Sequence, residues 1–261
     1  MSEFLKNYYE NYDENGRLET KYGMVEFLTT MRYIEKYLKP GARILEVGAG
    51  TGRYSHALAQ MGYEVDSVEL VQHNIEIFKT NTKTGEKITV VQGDARDLSA
   101  FDDNTYDITL VLGPMYHLYN MEDKRSAVSE ALRTTKTDGV VFVAYCITDA
   151  NIIEAGFKRG LIHEFIEKNM LDTTHFKAVS TPADIFELHR KEDIDEIMSA
   201  FNVERLHYVA SDGMARHLMY SLEPQMDDVI FDIYLKYHFA TCERADMVGY
   251  SHHALDIFKK K

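Results

Sequence analysis

The segment Glu46-Val-Gly-Ala-Gly-Thr-Gly52 constrains this chain more than any other. It ends a short apolar run, Ala42–Val47, and opens a helix-like run, Arg53–Met61. Glycine lets the backbone turn tightly and lets a ligand approach the main chain with no Cβ in the way. A helix starting just after such a loop points free N–H groups at that ligand. The order strand, loop, helix therefore predicts a ligand-binding turn in an α/β protein.

The flanking pattern supports that class. Glu64–Leu70, Lys87–Gln92, Tyr106–Leu112 and Val140–Cys146 read as further strands, and Val71–Thr80 and Lys124–Thr134 as helices, the latter stopped by Asp138-Gly139. Strands apolar on both faces and alternating with helices imply a parallel sheet covered on both sides. Two later strands, Val203–Ala210 and His253–Lys260, follow. The expected fold is α/β: a Rossmann-like, mostly parallel seven-stranded sheet with helices on both faces, plus a helical insertion or cap after the fifth strand. Residues 1–261 read as a single domain, with 1–40 a helical arm and 149–202 and 213–244 helical cap elements.

Two stretches leave alternatives open. Thr181-Pro182-Ala183-Asp184 has the form of a helix cap with proline in the first turn, while Asp184–His189 alternates like a strand. The stripe Phe231, Tyr234, His238, Phe239 on the amphipathic helix 227–244 is either a packing face or a substrate wall.

The formal net charge is −13, and the one dense basic run is Lys259-Lys260-Lys261. A nucleic-acid binder needs a basic face to neutralise phosphates, so a nucleic-acid partner is disfavoured. No stretch approaches the roughly 20 apolar residues of a membrane helix. Without a secretory signal at the start, Cys146 and Cys242 read as reduced, buried thiols in a cytoplasmic protein.

The loop spacing is G-x-G-x-G, and Arg53 stands where a dinucleotide fingerprint needs glycine or alanine. Glu46 would repel a pyrophosphate, yet it suits a ligand carrying an ammonium and a sulfonium, as S-adenosylmethionine does. Glu69 closes the second strand, where an acidic side chain accepts from ribose hydroxyls. Asp94 and Ala95, after the third strand, suit an adenine amino group and ring.

These segments together resemble class I S-adenosylmethionine-dependent methyltransferases over roughly residues 40–147. The resemblance implies S-adenosylmethionine as cofactor and S-adenosylhomocysteine as product. It makes Glu46, Gly48, Ala49, Gly50 and Gly52 the cofactor loop. Glu69, with Leu70, becomes the ribose clamp, and Asp94-Ala95 the adenine contact. Leu112, with Gly113-Pro114, stands by the methionine part. Residues Tyr12–Arg17 and Gly113–Leu118 are similar to a branch loosely grouped with ubiquinone/menaquinone-biosynthesis methyltransferases, which implies a small-molecule acceptor. The Asn-Pro-Pro-Tyr signature of many nucleic-acid and glutamine N-methyltransferases is missing after the fourth strand.

Methyl transfer is an in-line displacement whose main demand is holding the nucleophile in line. A base helps only where the acceptor bears a weakly acidic proton. His117 is the candidate base and Tyr116 its neighbour, because ligands bind at the C-terminal ends of parallel strands. Tyr8, Tyr9, Tyr12 and Tyr22 form either a lid or a loosely ordered arm. No metal is expected: H-E-x-x-H and C-x-x-C are absent, and His252-His253 would point to opposite faces of a strand. A protein or RNA methyltransferase, a non-catalytic S-adenosylmethionine-binding protein and a nucleotide-dependent oxidoreductase are the competing readings. The oligomeric state, a homodimer included, is open.

Overall fold

The structure, a computed structural model, describes residues 3–12, 16, 20–222 and 226–261. The Tyr12–Arg17 motif lies largely outside these residues. The described residues of the arm include the helices α1 (Glu3–Asn11) and α2 (Lys21–Tyr37). Thr20 caps α2, its hydroxyl accepting from the Gly23 amide at 3.1 Å. Then follow β1 (Arg43–Val47), α3 (Arg53–Gln60), β2 (Glu64–Glu69), α4 (Gln72–Asn81) and β3 (Ile88–Gln92). Next come β4 (Tyr106–Val111), α5 (Met121–Thr134) and β5 (Thr135–Ile147). α5 ends at Thr134 and β5 starts at Thr135, so Asp138-Gly139 lies within the strand, which is longer than its apolar run suggested.

The insertion after β5 is less helical than its sequence reads. α6 (Thr148–Asn151) runs into a π-helical stretch (Ile152–Lys158), then α7 (Ile162–Glu167). A two-stranded ribbon follows, β6 (Leu171–Asp172) with β7 (Lys177–Ala178). The ambiguous segment adopts both of its forms in miniature. Pro182–Asp184 is one turn of 3₁₀ helix closed by a Thr181/Asp184 capping box, and β8 (Leu188–His189) pairs with the end of β5. The chain continues through α8 (Lys191–Met198), β9 (Val203–Ala210), α9 (Ala215–Leu222), α10 (Asp228–Thr241), α11 (Ala245–Val248) and β10 (His253–Lys260).

The main path through the sheet is β3-β2-β1-β4-β5-β10-β9, with β8 added beside β5. β1 to β5 are parallel, and β10 enters antiparallel between β5 and β9. Val141, Phe142, Val143, Tyr145, Leu255 and Ile257 are buried at this centre, as a sheet covered on both faces requires. Strand order reverses between β1 and β4. That reversal opens a crevice at the strands' C-terminal ends.

α10 belongs to the packing of the arm. Tyr234 and His238 are buried, and His238 Nε2 is 2.9 Å from Thr29 Oγ1 on α2. The stripe does not line the cavity described below, which decides its role as a packing face. Both cysteines are free and buried. Among the described residues, no helix is long and apolar enough to cross a membrane.

Candidate active site

A cavity of about 480 Å³ occupies the crevice. Gly48 and Gly50 of the loop, Glu69 and Leu70 after β2, Asp94 and Ala95 after β3, and Leu112, Tyr116 and His117 after β4 all line it. Elements spread over 70 residues of sequence thus meet at one edge of the sheet. Glu46, Ala49 and Gly52 do not reach its wall.

The loop's shape comes from close packing. Gly48 has φ +76°, and a Cβ there would stand 2.5 Å from Pro114 Cδ. Gly52 caps α3 with φ +88°, and its Cβ would stand 2.5 Å from Phe78. Only glycine meets both the left-handed backbone and the missing space. Glu46 lies beneath the loop, almost fully buried, where it accepts from the Ser55 hydroxyl. The sequence placed this carboxylate against a cationic ligand; the structure places it as the loop's floor. Burial pushes its carboxyl up to about 7, the Ser55 hydrogen bond opposing and the Glu69 charge adding.

Glu69 ties three segments together. Its Oε2 accepts from the Gly50 amide at 2.8 Å, and its Oε1 from the Val71 amide at 2.9 Å and Asn74 Nδ2 at 3.3 Å. Asp94 is held by Arg96, whose Nη2 donates to Oδ2 at 2.7 Å. This pairing, with burial opposing, keeps the Asp94 carboxyl below the usual range. Arg96 also lines the cavity. Sequence reasoning passed over it because an arginine near an aspartate usually marks no more than a surface pair.

The arm closes one side. Tyr8, Tyr9, Tyr12 and Tyr22 line the cavity. The Tyr9 hydroxyl stands 2.9 Å from His117 Nε2, and His117 Nδ1 stands 2.8 Å from the Ile185 carbonyl. A carbonyl only accepts, so Nδ1 carries the proton. Burial lowers His117 to about 4, so the ring is neutral near pH 7 and Nε2 accepts from Tyr9. Ile185 has φ +69°, rare for a β-branched residue. Its carbonyl also accepts from the Tyr119 hydroxyl at 2.6 Å. His117 thus sits at the cavity wall with both ring nitrogens engaged, joining the arm to the insertion.

The far end of the cavity holds residues that spacing could not group. Glu26 of α2, Asp212 after β9, and His252 and His253 at β10 all line it. His252 and His253 do part company: His252 packs on His217 with ring centroids 4.6 Å apart, and His253 faces Asp212.

The wall suits a nucleoside bearing a cationic amino-acid tail. A carboxylate closes β2, another polar pair follows β3, and Gly48 and Gly50 present bare backbone on the same wall. The fold and this wall are those expected of a class of protein, the α/β enzymes that bind a nucleoside cofactor across the sheet's switch point. Residues 45–143 match the model of the methyltransferase domain family. Over 60% of this chain and 59% of its own length, the glycine/sarcosine N-methyltransferase of Aphanothece halophytica is 26% identical. A demethylmenaquinone methyltransferase of Renibacterium salmoninarum is 34% identical over 40% of this chain and 41% of its own. The chain thus spans about half the length of the curated relatives it matches. A solved S-adenosylmethionine-dependent methyltransferase from Methanosarcina mazei shares the fold, with a TM-score of 0.58 at 16% identity, covering 87% of this chain and 96% of that one. Residues 45–143 thus carry a methyltransferase domain on a fold shared with S-adenosylmethionine-dependent methyltransferases, and S-adenosylmethionine is the cofactor that this similarity implies.

Proposed function

We propose that this protein transfers the methyl group of S-adenosylmethionine to a small-molecule acceptor bound at the far end of the same cavity. One observation carries the reading: a single cavity joins the glycine loop and Glu69 to the tyrosines of the arm and to Tyr116. When bound, S-adenosylmethionine supplies a methyl group made electrophilic by the sulfonium.

The chain's own residues supply position. Glu69 and Asp94 hold the nucleoside end, and Gly48 and Gly50 let the tail approach the backbone. Leu112 and Tyr116 line the wall where the methyl would lie. The arm tyrosines cover the opening and keep water from the donor. His117, locked between Tyr9 and Ile185, is a positioning residue that holds this cover in place.

The acceptor is small because the cavity is roofed by α1 and because a net charge of −13 disfavours a polyanion. The names of the two relatives point the same way. A cytoplasmic location fits this chemistry.

The test is calorimetric titration with S-adenosylhomocysteine and, separately, NADH. S-adenosylhomocysteine should bind and NADH should bind more weakly; the reverse order would support an oxidoreductase instead. Glu69→Ala should weaken S-adenosylhomocysteine binding by roughly tenfold or more, as expected for losing charge-assisted hydrogen bonds of about 1.5–3 kcal/mol.

A further inference from the structure

Asp212 and His253 meet because of strand direction. β9 runs parallel to β1–β5, so Asp212, two residues beyond its end, lies at the cavity edge. β10 runs antiparallel, so its first residue, His253, lies at that same edge, in register with Cys146 of β5. The strand path β1-β4-β5-β10 places His253 three strand spacings, about 14 Å, from the glycine loop. That is the acceptor end in the reading proposed above, on which this inference rests.

The Asp212 carboxylate is built into place. Its Oδ1 accepts from the Ser251 hydroxyl at 2.5 Å and from the His253 amide at 3.1 Å, and its Oδ2 lies 2.9 Å from His253 Nδ1. Glu26 Oε2 stands 3.5 Å from the same nitrogen. His253 Nε2 has no hydrogen-bond partner among the described residues, and the ring lines the cavity.

We propose that the Asp212–His253 pair is the acceptor-binding group, and that it holds a weakly acidic hydroxyl, a phenol or an enol, as its oxyanion against Nε2–H. An acceptor arriving as its anion pairs with the imidazolium directly. One arriving neutral passes its proton to Nε2 where the imidazole is neutral. Both routes reach the same state. The oxygen then forms the new bond to the methyl carbon, and the S–C bond breaks with its electron pair remaining on sulfur. The product is a methyl ether beside S-adenosylhomocysteine, and the proton stays on Nε2; where a neutral acceptor supplied it, it passes to solvent before the next turnover.

The charges around the ring agree with this order. Burial works against the imidazolium, but Glu26 from α2 and Asp212 from the β9–α9 connection outweigh it and hold His253 well above the usual imidazole range. Cys146 of β5 also faces it, the Tyr116 ring lies 5.7 Å away, and Arg216 of α9 lines the same end of the cavity. The His253 charge in turn keeps the Asp212 carboxyl low despite burial. An amine acceptor, by contrast, must approach as a neutral lone pair and meets a donor at Nε2.

The test uses the full chain loaded with sinefungin, an analogue that cannot transfer a methyl and carries an amine at the sulfonium position. 4-Nitrophenol is added at pH 6 and its absorbance read. The protein should hold it as the yellow anion, with the anion-to-phenol ratio raised roughly tenfold over buffer, a shift of about one pKa unit. His253→Gln should abolish that shift, with His253→Asn as the second variant should the first fail to fold. 4-Nitroaniline should bind roughly tenfold more weakly. An unshifted spectrum in the wild type, an equal shift in both variants, or equal binding of the aniline would overturn the proposal. So would one equivalent of Mn²⁺ bound by the protein and lost in His253→Asn, since Glu26, Asp212 and His253 offer ligand atoms within 4.8 Å of one another. Retained sinefungin binding without the nitrophenolate signal rejects this inference alone; no sinefungin binding by the wild type rejects the methyl-donor reading as well.

Discussion

Tyr9 on the first helix and His117 after β4, 108 residues apart, are joined by a hydrogen bond of 2.9 Å across the mouth of the cavity. His117 in turn donates to Ile185 in the insertion. One neutral imidazole thus connects the arm, the sheet and the cap.

Tyr9→Phe removes the arm's bond to His117 and leaves a buried nitrogen without its donor. The expected cost is about 1 kcal/mol, which corresponds to roughly fivefold weaker S-adenosylhomocysteine binding. Hydrogen exchange should show α1 amides opening faster in the variant. Unchanged exchange in α1 would mean that ring packing of Tyr8 on Phe186, not this bond, holds the arm.

Glu46 makes stability fall as pH rises. Its folded pKa, about 7, lies above the value of 4.5 expected when the group is free, so the folded state binds the extra proton between those limits. Stability is therefore highest below about pH 4.5 as far as this group is concerned. It declines through the window and has lost about 3 kcal/mol above pH 7. Glu46→Gln should melt higher than the wild type at pH 8 and show a flatter dependence between pH 5 and 8. Parallel curves for the two proteins would place an ordinary carboxylate at this position.

Gly48→Ala asks a left-handed backbone to carry a Cβ 2.5 Å from Pro114. Destabilisation of about 1–3 kcal/mol is expected from the crowding, together with loss of S-adenosylhomocysteine binding as the loop shifts. Thermal melts and calorimetry on the same sample report both. A variant that melts and binds as the wild type does would show that Pro114 yields.

Much of the fold was legible because it is local. The five parallel strands announce themselves as apolar runs, and the loop's glycines sit in sequence next to the strand and helix they connect. That Glu69, Asp94 and Leu112 meet in one cavity was legible for the same reason, since each stands at or just past a strand's end and parallel strands end at one edge. The insertion was harder. Its ribbon strands are two residues each, too short for a period to show, and β8 exists only because the end of β5 offers it a partner. The burial of Glu46 was not legible, because it depends on the Ser55 hydroxyl of α3 meeting the carboxylate beneath the loop.

The amino-acid sequence by itself determined the sheet, the glycine loop and the cofactor that such a loop takes, because these depend on spacing within a few tens of residues. Only the tertiary structure decided the far end of the cavity. Glu26, Asp212 and His253 come from the arm, from the turn after β9 and from the last strand. No period or motif relates them. They meet because β10 returns antiparallel beside β5 and brings its first residue to the edge where the parallel strands end.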